Sequence, residues 1–156
     1  MIISDTGPLV VLFKTDMLFL LKEIYQEVLV PEAVKTELIR KPEGIILFKN
    51  NPWIKIKKAT DKESMRVLSL IVDLGEAEAI ALALELNSMI LIDERKGRSY
   101  SRNLNLGVRG TLGLLLEAKK KGIVKSVTEC VDKLKKAGYY LDDELIEALL
   151  IQSGEA

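Results

Sequence analysis

Four apolar residues in a row, Met89-Ile90-Leu91-Ile92, stop abruptly at Asp93-Glu94. A run of that length without alternation reads as a strand covered on both faces, and such strands belong to parallel sheets sandwiched between helices. The chain opens the same way, with Ile2-Ile3 running into Ser4-Asp5, and repeats the device in Val28-Leu29-Val30 before Pro31. Between these runs lie helical stretches: Leu9–Lys14 and Met17–Ile24 hinged at Thr15-Asp16, Pro31 to about Arg40, Asp61–Val72, Glu76–Leu86 and a segment behind Asp93-Glu94. Lys41-Pro42-Glu43-Gly44 reads as a helix break, Trp53–Lys57 alternates like a half-exposed edge strand, and Asn105–Val108 gives a short last strand. Helices over Gly110–Lys121, Ser126–Ala137 and Asp142–Gln152 complete the chain. Strand and helix alternate throughout, which predicts a three-layer α/β/α fold with a mostly parallel central sheet. No repeat, low-complexity tract or long linker interrupts the pattern, so a single domain over 1–156 is expected.

Histidine is absent from all 156 residues. That removes Ser-His-Asp and Cys-His nucleophile activation and every imidazole-ligated metal site. The one cysteine, Cys130, stands between apolar positions and cannot form an internal disulfide, which fits a small core residue and a reducing compartment. The apolar stretches are shorter than a bilayer span and carry Lys14, Asp16 and Lys22, so neither a membrane segment nor a signal peptide is expected, and the cytoplasm is the expected location. Lys+Arg and Asp+Glu both number 23, so an anionic partner has to be held by a local patch and not by a global field. The chemistry left is that of carboxylates, hydroxyls, Lys and Arg, and carboxylates favour hard cations such as Mg²⁺ or Mn²⁺.

In an open parallel sheet, functional groups gather outside the carboxyl ends of the strands. Asp5 and Asp93 each stand directly after a strand, with Glu94 beside the second. The helix from Glu76 runs into the strand at Met89, so its first turn, bearing Glu76 and Glu78, returns to the same edge. Thr111 joins them by opening the helix after the last strand. Glu37 sits about four residues from the end of its helical segment, and helical phase alone does not bring it to the rim. Each acid also has a simpler reading: Asp5 and Asp93 as helix caps, Glu76 and Glu78 as complements to a helix dipole, Glu37 as a solvated charge. Their convergence favours a cation, because clustered carboxylates raise one another's pKa unless something holds them.

The segments Ile2-Ile3-Ser4-Asp5-Thr6, Val30-Pro31-Glu32-Ala33-Val34-Lys35-Thr36-Glu37-Leu38, Gly75-Glu76-Ala77-Glu78-Ala79-Ile80 and Leu91-Ile92-Asp93-Glu94-Arg95-Lys96-Gly97-Arg98 occur in that order. Together they resemble PIN-domain ribonucleases, the fold of VapC-type toxins. The segment Val108-Arg109-Gly110-Thr111-Leu112-Gly113 is similar to a less characterised prokaryotic branch of PIN-like proteins, and the likeness covers about the first 125 residues. The resemblance implies an Mg²⁺- or Mn²⁺-dependent endoribonuclease, with one or two ions on Asp5, Glu37, Glu76 and Asp93. It brings Glu37 into the site where phase did not. Where the toxins usually carry Asp, this chain has Glu76, with Glu78 one helical step round as the alternative ligand, and Glu94 is the alternative or companion to Asp93. Ser4 and Thr6 are expected to orient water or a carboxylate, and Thr111 to hold a scissile phosphate.

Between Arg95 and Arg109 the chain has five cations and no acid, and Arg95, Lys96, Arg98 and Arg102 form the expected contact with the RNA backbone. Toxin action implies an antitoxin protein, and the apolar excess in Leu9–Ile24 suggests a homodimer. Other phosphate chemistries fit less well: Gly7 stands where a haloacid-dehalogenase-like enzyme needs a second Asp, and Gly110-Thr111-Leu112-Gly113 is no dinucleotide-binding loop. The non-enzymatic alternative is an α/β module that binds RNA or protein on a degraded metal site.

Overall fold

A computed structural model describes residues 1–156. Five strands, β1 (Ile2–Ser4), β2 (Val28–Pro31), β3 (Ile54–Lys57), β4 (Met89–Leu91) and β5 (Val108–Arg109), form one sheet in the order β3-β2-β1-β4-β5. Every pairing is parallel, with Ile2 opposite both Val28 and Met89. The helices are α1 (Thr6–Lys14), α2 (Phe19–Tyr25), α3 (Glu32–Leu38), α4 (Pro42–Asn50), α5 (Lys62–Leu68), α6 (Leu74–Leu86), α7 (Arg95–Asn103), α8 (Thr111–Lys120), α9 (Val127–Lys136) and α10 (Asp143–Ser153).

The period-two geometry of a strand explains why the central runs are apolar throughout. Ile2, Val28, Val30 and Leu91 point into one core with α1, α2 and α8, while Ile3, Leu29, Ile90 and Ile92 point into the other with α5 and α6. Burying each such side chain stabilises by about 1.5–3 kcal/mol. The middle helix α6 is buried over nine consecutive residues, Gly75–Ala83, because its Ala-rich surface packs close to the sheet and to α3 together. The strand at Ile54–Lys57 lies at an edge, as its alternation predicts, with only Ile54 buried.

Two elements differ from the sequence reading. Lys41-Pro42-Glu43-Gly44 ends α3 but also starts α4, since Pro at the first helical position lacks only an N–H that would have no partner there. The last strand falls at Val108–Arg109, not Asn105–Val108: Asn105 has φ +62°, and the chain only becomes extended after Gly107. Most of the apolar excess in Leu9–Ile24 packs inward, where Leu9, Leu12, Leu20 and Leu21 are fully buried and Val10, Val11 and Phe13 lean on them, while Phe19 stays 48% exposed. Beyond α8, the α9–α10 hairpin buries Val127, Val131 and Leu149 together. Glu155 ties its end down by accepting from the Val127 and Thr128 N–H groups and from Lys119 Nζ at 2.7, 3.1 and 3.0 Å. Cys130 is free and buried, and no helix is long and apolar enough to cross a membrane.

Candidate active site at the carboxyl edge of the sheet

Asp5 follows β1 and occupies the N-cap position of α1, yet its side chain makes no capping hydrogen bond. It is only 8% exposed, and burial pushes its pKa up to about 7, with the negative Asp73, Glu37 and Asp93 adding to the shift and the Thr6 amide opposing part of it. An unpaired, buried carboxylate with no capping role is costly unless something else uses it. Ser4 Oγ donates to the Asp5 carbonyl oxygen at 3.0 Å, so this hydroxyl fixes the backbone of the strand end and orients no side chain.

Glu76 lies in the first turn of α6, whose N-cap is Asp73: the Glu76 N–H donates to Asp73 Oδ1 at 2.8 Å. The Glu76 side chain is 6% exposed, and its Oε2 has no hydrogen-bond partner. Burial raises its pKa to about 9, helped by the carboxyl of Asp73 and the charges of Asp5 and Glu94. A favourable helix dipole is worth at most a couple of kcal/mol and has not offset this burial. The close approach is built by Gly97, since a methyl there would lie 2.7 Å from Glu76 Oε2 and 2.5 Å from Ile92 Cδ1.

Glu78, the alternative to Glu76, is committed elsewhere. Its two oxygens accept from the N–H groups of Ala33 at 2.7 Å and Ala59 at 3.0 Å, joining the start of α3 to the loop after β3. One helical step thus separates an acid that satisfies the scaffold from one that nothing satisfies. Glu37 does reach the rim, contrary to the reading from helical phase: Thr6 Oγ1 donates to its Oε2 at 2.9 Å. The helix α3 starts at the carboxyl end of β2 and packs along α6, so its last turn passes beside the Asp5-Thr6 corner. Gly75 lies between them, with Glu37 Oε2 and Asp73 Oδ1 at 3.5 and 3.6 Å from where its side chain would start.

Asp93 is a cap, but of a different helix from the one that follows it. Its Oδ1 accepts from the Thr111 N–H at 2.7 Å and its Oδ2 from Thr111 Oγ1 at 2.5 Å, so it closes the N-terminus of α8. Both Thr111 donors therefore orient a carboxylate and neither is free to take a phosphate. Glu94 caps α7, accepting from the Gly97 N–H at 2.7 Å, and that bond holds its carboxyl below the usual range. Asp73 is the residue that the sequence reading missed. It sat in a helix-breaking Asp-Leu-Gly triplet, and its capping offset to Glu76 was the available signal.

No basic side chain pairs with any of these acids. The three ion pairs of the chain are Arg66–Glu63, Arg109–Glu117 and Lys119–Glu155. On α7, Arg95, Lys96 and Arg102 are exposed, and Arg98 is half-buried against Gly110 beside Asp93. Arg109, the fifth cation of that stretch, is turned inward onto Glu117 at 3.2 Å. The donor set is all oxygen, carries an orphaned buried oxygen at Glu76 and lacks a counter-charge, which matches the needs of a hard divalent cation. No three acidic side chains stand close enough, as placed, to enclose an ion.

Comparison with curated proteins and with solved structures returns no match. A family model described as a PIN domain matches residues 1–155, which extends the likeness from the acidic segments through α9 and α10. With five parallel strands between helical layers and the acids gathered at their carboxyl edge, the chain belongs to the PIN-domain family, whose members are generally nucleases.

Proposed function

We propose that this protein, acting as one domain over residues 1–156, is a divalent-metal-dependent endoribonuclease. The observation that carries the reading is the pair Asp5 and Glu76: two buried carboxyls on one rim with no basic partner, Glu76 Oε2 being left without any hydrogen bond. Bound there, Mg²⁺ or Mn²⁺ supplies charge stabilisation to a phosphodiester under attack and lowers the pKa of a coordinated water. Asp5, Glu76, Glu37 and Asp93 are its ligands in this reading, with Asp73 and Glu94 completing the negative rim. Thr6 holds the Glu37 carboxylate and Thr111 holds that of Asp93, so their orientations are set before any ligand arrives. Arg95, Lys96 and Arg102 offer exposed cations to RNA phosphates next to the rim. The same reading makes the protein a cytoplasmic, VapC-like toxin that forms a homodimer and is inhibited by an antitoxin segment across the acids.

One observation favours a second reading. Asp93 already satisfies the start of α8, and no three acids enclose an ion as placed, which suits a module that binds RNA without cutting it. Cleavage of a mixed-sequence RNA separates the two. The nuclease reading expects cleavage in Mn²⁺ or Mg²⁺, none in chelator, and loss of most activity in Asp5→Asn and Glu76→Gln. RNA binding without cleavage in any divalent ion selects the module.

A further inference from the structure

Beside the acidic rim, a groove of about 480 Å³ opens between α8 and the α9–α10 hairpin. We propose that it is a nucleotide subsite that holds the base next to the scissile phosphate and so sets the cleavage preference, an inference that rests on the ribonuclease reading. The groove is two-ended. One end is Asp93, Thr111 and Arg98, continuous with the rim, and the other is an apolar trough bounded by Leu116, Leu145 and Tyr140. A nucleotide has the matching form, a flat base with apolar faces joined to an anionic phosphate. The volume lies in the range of sites that take a small organic ligand, about 300–1,000 Å³.

Arg98 differs from the other cations of α7. It alone among Arg95, Lys96, Arg98 and Arg102 lines the groove, and its guanidinium makes no ion pair or hydrogen bond within the chain. It lies where a side chain at position 110 would be, so the glycine there makes room for it at the groove mouth, next to Asp93. A free guanidinium is a fork suited to phosphate oxygens. Tyr140 is 90% exposed on the rim of the trough, an arrangement with no packing role and one that suits stacking on a base. The hairpin wall is preformed, because Glu155 ties the end of α10 to the start of α9.

The test uses the full chain in chelator, with methyl-labelled leucines observed by NMR and the four 5′-mononucleotides as probes. At least one nucleotide is expected to shift the Leu116 and Leu145 methyls saturably, while ribose 5-phosphate, which lacks the base, does so far more weakly. Arg98→Gln, Leu145→Lys and Tyr140→Ala replace half-exposed or exposed side chains, and each is expected to weaken nucleotide binding, the first two about tenfold. On a mixed-sequence RNA, Leu145→Lys is expected to change the distribution of cut sites while cleavage stays dependent on the divalent ion. Groove methyls that ignore all four nucleotides, respond equally to ribose 5-phosphate, or shift only with protein concentration overturn the subsite, the last by showing a second copy in the groove. Metal-dependent cleavage with an unchanged cut pattern in Leu145→Lys overturns the subsite and leaves the nuclease standing. Nucleotide binding in the groove without any RNA cleavage overturns the nuclease and, with it, the groove's role in setting a cut preference, and leaves a nucleotide-binding groove on a non-cleaving module.

Discussion

In chelator, the protein should lose stability steeply as pH rises through neutrality, and Glu76→Gln should remove much of that slope. Both Asp5 and Glu76 have folded pKa values above their usual ones, about 7 against 3.8 and about 9 against 4.5. Above pH 5 the unfolded chain has released these protons while the fold retains them, so stability falls with rising pH until each folded pKa is passed. A proton held only by the fold makes the slope about 1.4 kcal/mol per pH unit. Between pH 5.5 and 7.5, Asp5 then contributes about 2 kcal/mol of loss and Glu76 about 3, for a total of roughly 4–5 kcal/mol from a pair that titrates together. That is a large share of a typical folding free energy of about 5–15 kcal/mol. No histidine titrates in this window, because the chain has none. The assay is urea unfolding at several pH values in chelator, reading the midpoint at constant m-value. Glu76→Gln keeps the shape and removes the titration, so its loss over the same window should be roughly halved. A wild-type midpoint that is flat from pH 5.5 to 7.5, or an equally steep Glu76→Gln variant, would refute the argument that these carboxyls are buried uncompensated.

Gly97→Ala should destabilise by about 1–3 kcal/mol and weaken divalent binding, because the added methyl meets Glu76 Oε2 and Ile92 Cδ1; thermal melts with and without Mn²⁺ check both effects. Glu78→Gln should cost about 1–3 kcal/mol, since the amide presents a donor to one of the two N–H groups that the carboxylate now satisfies, and should leave the metal-induced rise in Tm intact. Asp93→Asn should lower stability in chelator by about 1 kcal/mol through the weakened α8 cap and lower the metal-induced rise in Tm as well. An Asp93→Asn protein whose Tm responds to metal as wild type does would leave Asp93 a cap alone.

Much of the fold was legible because its signals are local. Apolar runs such as Met89–Ile92 mark strands buried on both faces, and each stops where a polar residue reaches the carboxyl edge. The helix α4 was not legible, because Pro42 and Gly44 carry the same signature whether they end one helix or open the next, and the outcome depends on Gly44 packing under the Leu38 carbonyl. In the site, Asp5 and Glu76 could be placed on the rim by strand order and helix direction. Glu37 could not, because its approach depends on how α3 crosses α6, a tertiary fact signalled only by the resemblance. The choice between Glu76 and Glu78 was closed to sequence for a similar reason. Both lie in one helical turn, and only the positions of the Ala33 and Ala59 N–H groups decide which carboxylate is free. From sequence Asp93 is equally a cap or a ligand, and the helix it caps, α8, begins 18 residues away.

The central claim is that Asp5 and Glu76 give up their protons to a divalent cation, and calorimetric titration of Mn²⁺ at pH 7 in buffers of different ionisation enthalpy measures this directly. With pKa values of about 7 and 9, Asp5 is half protonated and Glu76 fully protonated before binding, so about 1.5 protons should leave per ion bound. Glu76→Gln should release about one proton fewer and bind more weakly. Absence of Mn²⁺ binding, or binding that releases no protons, would contradict the account.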